Sequence, residues 1–275
     1  MTQKLTTHLP TTTPHSLHSA TTHPFLRLAG SGQIPKPLLS QWLSQDRLYA
    51  QSYVRFIGLL LAKVHLPRTP TRTQTPPKND EAGAEGNDNE NETIHEKILT
   101  ILVSALTNIH TELRFFETVA LEYGLDLNAP AAPTTAAEEL DGQKGFETGP
   151  VTQGYIDMFM SAGSSGTSLL EGLVVLWATE VCYLKAWRFA RSFLASGENK
   201  EGGAGDMDGG ALRERFIPNW ASEEFEVFVK RIGDVVDELG EVELAPGRGG
   251  KGELGRCERW WRQVVWLEER FWPVV

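Results

Sequence analysis

Residues 167–195, TSLLEGLVVLWATEVCYLKAWRFARSFLA, constrain the chain more than any other stretch. Wound as a helix, this segment is apolar all round for two turns. A helix without a polar face must lie at the centre of a bundle, covered by others. The rest of the chain supplies the cover. Residues 37–65 place Leu39, Trp42, Leu43, Asp46, Tyr49, Tyr53 and Phe56 at steps of three and four, the signature of one helical face. Residues 94–123 repeat the pattern with Ile98, Ile101, Leu102, Ala105, Ile109, Leu113 and Phe116. Further helices are expected over 151–162, from Ser222 as N-cap onward, over about 253–272, and as a short piece near Leu17–Leu28. No stretch alternates with period two. The expectation is an all-α bundle of six to seven helices, one domain spanning residues 1–275.

Four segments break the apolar pattern. Residues 66–92 are rich in Pro, Asn, Gly and acid, and are expected to form a flexible insert. Residues 126–150, 197–211 and 245–252 are expected to be loops. The formal net charge is −10. An acidic balance argues against a nucleic-acid partner, because phosphate binding needs a basic face. No apolar leader and no run of about 18 apolar residues is seen, so neither export nor a membrane span is expected. Two cysteines, Cys182 and Cys257, form no disulfide framework and suit a reducing, cytoplasmic setting. The sequon at Asn91 is then idle.

Metal and phosphate motifs are incomplete. His15, His18 and His23 lack a completing ligand and read as solvated or capping residues. His95-Glu96 needs a histidine where Leu99 stands. Asp206 and Asp208 lie in a calcium-like turn whose closing position is Ile217. Glycine runs at 202–210 and 247–252 follow no strand. No metal and no organic cofactor is expected. The acids set inside apolar faces are more telling: Asp46 with Tyr49 on one helix, Glu180 on the most buried one, Glu268 near Phe271 on the last. Taken singly, each is an ordinary core residue if an opposite charge pairs it. Three on three helices point to a pocket with acid–base capacity.

Several blocks then fall into a known order. HPFLRLAGSGQIPKPLLSQWLSQDRLYAQSYVRF, NIHTELRFFETVALEYGLDL, WASEEF and the closing LEERFW resemble successive motifs of the TenA family, also called thiaminase II or aminopyrimidine aminohydrolase. The resemblance runs from about residue 15 to 272 and implies a heme-oxygenase-like helical fold. It implies a small-molecule aminopyrimidine as partner, no membrane, and leaves a homo-oligomer open. By resemblance Asp46 anchors the pyrimidine, with Tyr49, Tyr155 and Tyr183 on the pocket wall. Phe271 stacks on the ring and Glu268 moves protons.

One departure bears on the chemistry. The family's nucleophilic cysteine stands four residues before the tyrosine matched by Tyr183, which places Thr179 there. Cys182 adjoins the tyrosine instead and lies roughly 60–100° away around the helix. WATEVCYLKAW is similar to a cysteine-lacking TenA subgroup that carries a glutamate in this region, here Glu180. The resemblance therefore implies a thiamin-pyrimidine salvage hydrolase that removes an amino or formamido group without a cysteine nucleophile. Glu180 and Glu268 would act on water. The alternative is a non-catalytic member that binds a ligand or regulates a partner. A di-iron oxidase on this fold would need Glu-x-x-His sets on two core helices, and the sequence offers that spacing once, Glu92 with His95 at the edge of the polar insert.

Overall fold

The computed structural model describes residues 4–66, 93–131, 145–194, 205–245 and 250–275. Every regular element among them is helical. Six long helices form the bundle: α4 (Lys36–Leu61), α5 (Ile94–Tyr123), α6 (Pro150–Gly163), α7 (Leu169–Arg191), α9 (Glu223–Glu243) and α10 (Gly250–Phe271). Shorter ones are α1 (Leu5–Thr12), α2 (Pro14–Thr21), α3 (Pro24–Gly30) and α8 (Ile217–Trp220), with a π-helical turn at Ala211–Phe216 just before α8.

Local chemistry sets the starts and stops. Ser168 caps α7 and Thr93 caps α5, each in a reciprocal box with a glutamate three residues on, Glu171 and Glu96. Ser222 caps α9 by accepting from the Phe225 amide. Gly124 ends α5 at φ +64°, a left-handed position that a β-carbon disfavours.

As its composition requires, α7 is central. Leu170 to Thr179 are buried without a break. It packs on α10, α9, α3 and α2, while α4 holds α5 and α6. Tryptophans fill one end of the bundle. Trp187 lies 4.4 Å from Trp220 and 5.6 Å from Trp42 between ring centroids.

Three local expectations change. The single helix near Leu17–Leu28 is two helices, α2 and α3, broken at Pro24. The residue before a proline avoids helical geometry, and His23 is extended, its ring Nδ1 accepting from the Phe25 amide. Residues 5–12 form α1 despite Pro10, because Leu5 and Leu9 are buried on one face and Asp237 of α9 accepts from the amide and hydroxyl of Thr6. The loop expected over 197–211 stops short of its end. Asp208, buried, accepts from the amides of Gly210 and Leu212 and so initiates the π turn, and Asp206 pairs with Arg213 at 2.8 Å. Both aspartates of the calcium-like turn are thereby engaged. Of the proposed insert, residues 67–92 lie outside the described residues, as do 132–144, 195–204 and 246–249 in the other three loops.

Gly30 marks the tightest helix contact. A β-carbon there would stand 2.0 Å from the Ala190 carbonyl oxygen of α7, a backbone atom with no freedom to yield. Gly30→Ala is expected to lower stability by about 1–3 kcal/mol through overpacking. Denaturant unfolding measures it, and an unchanged midpoint would contradict this packing.

Candidate functional site

A cavity of about 310 Å³ opens between α4, α5, α7, α8 and the start of α9. Helical spacing delivers its walls. From α4 come Asp46, Tyr49 and Tyr53, at steps of three and four. From α7 come Glu180 and Tyr183, three apart. Glu112 enters from α5, Asn219 and Trp220 from α8, and Phe225 from α9.

Of the four carboxylates among the described residues of the wall, Glu224 is exposed and the other three are held by neutral donors. Tyr53 donates to Glu180 at 2.6 Å, and Tyr183 to Asp46 at 3.2 Å. The Trp220 indole N–H and the Asn219 amide donate to the two oxygens of Glu112, at 2.5 and 3.1 Å. Among the described residues no lysine, arginine or histidine forms an ion pair with Asp46, Glu112, Glu180 or Glu268. Desolvation therefore dominates. Burial pushes the Glu180 and Glu112 carboxyls up to about 7 each, and Glu268 up to about 8. Asp46 is raised well above the usual carboxylate range, by burial first and by Glu112 second. Negative charge on one acid raises its neighbours: Glu112 acts on Glu180, and Asp46 and Glu180 act on Glu268.

The structure sorts the sequence-derived residues into two layers. Asp46, Tyr49, Glu180 and Tyr183 line the cavity. Tyr155, Thr179, Glu268 and Phe271 do not; they sit behind it. The Tyr155 ring meets Tyr49 edge-on at 5.0 Å and Phe271 at 5.5 Å. Its hydroxyl lies near enough to Glu268 to lower that carboxyl, yet completes no hydrogen bond. The Thr179 hydroxyl donates to carbonyls of its own helix, at Leu176 and Val175. Phe271 also faces a second cavity of about 400 Å³ beside Gln45 and Thr152. Tyr49 joins the layers, since its phenol feels Glu180, Glu268 and Asp46 together. Cys182 is fully buried in the core, outside the cavity wall, and burial drives its thiol far up from the usual range. Arg213 is bound to Asp206 and to the Leu194 carbonyl, away from the cavity wall. Among the described residues no group of three or more His, Cys, Asp or Glu is arranged to hold a metal ion, and no helix is long and apolar enough to cross a membrane.

Glu112, Tyr53, Asn219 and Trp220 were not singled out from the sequence. Glu112 carried a readable signal. It falls three residues after Ile109 and four before Phe116, an acid in the apolar stripe of α5. Trp220 opens the WASEEF block but was given no site role there, and Asn219 carried no signal, because a four-residue helix has no periodicity to read.

The architecture has known counterparts. A TenA homologue from Pyrococcus furiosus superposes with TM-score 0.68 at 24% identity, covering 97% of each chain. A TenA homologue from P. horikoshii OT3 gives 0.65 at 16% identity, covering 98% of this chain and 97% of its own. A TenA family transcription regulator from Silicibacter sp. TM1040 gives 0.67 at 14%, covering 97% and 94%. The chain thus has the heme-oxygenase-like helical fold of TenA homologues. No family model matches it. A Fusarium pseudograminearum protein named "Probable transcription factor" is 32% identical over 293 residues, 98% of this chain. The chain spans about half the length of that relative, 51%.

The raised carboxyls make stability depend on pH. A carboxyl that titrates higher folded than unfolded holds its proton longer in the native state, so stability falls as pH rises from the unfolded value toward the folded one. For Glu268 that window runs from the ordinary carboxyl value of 4.5 to about 8. The thermal midpoint should therefore drop between about pH 5 and 8, and Glu268→Gln should flatten the profile and raise stability at pH 8 by at least about 1 kcal/mol. A flat wild-type profile over this range would refute the burial of an unpaired carboxyl.

Proposed function

We propose that the chain is a TenA-family hydrolase that removes an amino or formamido group from an aminopyrimidine, using acids and no thiol. The observation that carries this reading is the cavity wall itself. Asp46 and Glu180, the positions matched to the pyrimidine anchor and to the cysteine-lacking subgroup's glutamate, share one cavity with Tyr49 and Tyr183, while Cys182 is walled off in the core. Asp46 would take the amidine-like edge of the ring in two charge-assisted hydrogen bonds. Glu180, oriented by Tyr53 and titrating near neutrality, suits a general base toward water. For the amine the balance is R–CH2–NH3⁺ + H2O → R–CH2–OH + NH4⁺. The ammonium leaves with its own proton; for the formamide or the free amine, whose leaving nitrogen needs one, Glu268, which keeps its proton at neutral pH, serves as the acid behind the wall, with the Tyr49 phenol between it and the cavity. No metal or organic cofactor enters this scheme. A cytoplasmic setting and a homo-oligomer belong to the same reading.

A second reading is a ligand-binding module without turnover. The relative named as a transcription factor, about twice as long as this chain, favours it.

Incubation with 4-amino-5-aminomethyl-2-methylpyrimidine and its formyl derivative separates the two readings. The hydroxymethyl product with ammonia, or formate, is expected to accumulate. Glu180→Gln and Glu268→Gln should each lower kcat by roughly 100-fold or more, the usual weight of a general acid or base. Cys182→Ser should leave kcat near the wild-type value. Binding without turnover by the wild-type chain would replace the hydrolase with the binding module, and loss of activity in a folded Cys182→Ser protein would restore the thiol to the mechanism.

A further inference from the structure

Of the three wall carboxylates held by hydrogen bonds, Glu112 is the one for which the hydrolytic scheme has no task. Asp46 is committed to the ring edge and Glu180 to water. Glu112 stands on α5, which packs on α4 and α9. Both of its oxygens are fixed, one by the Trp220 indole and one by the Asn219 amide. A carboxylate offers about four acceptor positions, so two donors leave it able to take more. These donors are neutral, so the negative charge stays unmatched, and among the described residues that line the cavity none is a lysine, arginine or histidine. Aromatic rings stand in the same wall: Phe116, Trp220 and Phe225. Trp220 lies 6.2 Å from Phe116 and 5.5 Å from Tyr183 between ring centroids. A rigid carboxylate beside aromatic rings in a cavity without cations is the composition that receives an ammonium group, through a charge-assisted hydrogen bond and cation–π attraction.

We propose that Glu112 is a specificity-determining residue that makes the cavity favour a ligand whose side arm ends in a protonated amine over the same ligand ending in a neutral group. This rests on the aminopyrimidine reading above and deepens it: of the two substrate types, the ammonium-bearing one is preferred over the formamide. Glu112 binds the side arm and takes no proton in the reaction. Its fixed orientation matters, because an ammonium on a short arm has one direction of approach once Asp46 holds the ring.

The test is a binding ratio. Glu180→Gln protein, in which hydrolysis is blocked, is titrated by calorimetry with 4-amino-5-aminomethyl-2-methylpyrimidine and with its hydroxymethyl analogue. The same titrations are run on the Glu112→Gln/Glu180→Gln double variant. The parent is expected to bind the amine more tightly than the alcohol. Glu112→Gln should then reduce amine affinity by roughly 10- to 100-fold, the weight of one hydrogen bond to a charged group. Alcohol affinity should stay the same. Glutamine is isosteric and can still accept from the Trp220 indole, and matching unfolding midpoints would confirm that both proteins are folded. Equal weakening of both ligands would assign Glu112 a structural role and overturn the proposal, as would an unchanged ratio. Either of those leaves the hydrolase reading intact. Failure of the parent to bind either pyrimidine would remove that reading and this inference together.

Discussion

Helix α7 has no wet side over Leu170 to Thr179, and the bundle is arranged to meet that condition. α10, α9, α3 and α2 press on it, and small residues let them come close. Gly30 brings α3 against the α7 backbone, and Gly172 leaves room for the Leu60 side chain of α4. Past the first-turn Glu171, the sequence of α7 stays apolar until Thr179 and then turns polar at Glu180 and Tyr183. There the surrounding helices stand back and the cavity opens. The same helix is thus the centre of the core along half its length and a pocket wall along the next turn.

The cavity holds its acids without opposite charge. Tyr53, Tyr183, Trp220 and Asn219 donate hydrogen bonds to them but contribute no cation. Burial then shifts the titration of Glu180 and Glu112 to about 7, where small changes in surroundings alter the fraction ionised. Glu268, deeper and pushed to about 8, sits one aromatic layer back. The two layers differ in solvent contact, and that difference separates a group able to take a proton from water from one that retains its own.

Most of the fold could be read from periodicity, because long helices on an apolar core repeat their pattern for many turns. α9 begins where Ser222 signals. Of the pieces shorter than three turns, α2 and α3 were read as one helix, and α1, α8 and the π turn escaped. α1 depends on a distant partner, Asp237, and the π turn depends on Asp208 satisfying two amides, and neither shows in local sequence. At the site, Asp46 and Glu180 were recognisable as acids in apolar stripes. Glu112 met the same criterion but was passed over. Spacing alone could not tell that Thr179, Glu268 and Tyr155 stand behind Tyr49 while Tyr53 and Trp220 stand beside it. That ordering depends on how far each helix is rotated, which tertiary packing decides.

Every residue of the cavity wall, from Asp46 to Phe228, lies inside a helix or at a helix cap. Distances across the cavity are therefore set where α4 lies on α5 and where α9 lies on α5 and α7, and not by the length of chain joining them. Closing a longer connection costs little free energy, since the cost grows only with the logarithm of its length. The stretch 67–92, dense in proline, asparagine and acid, can thus vary in length and composition between two helices of the site and leave the carboxylates where they are.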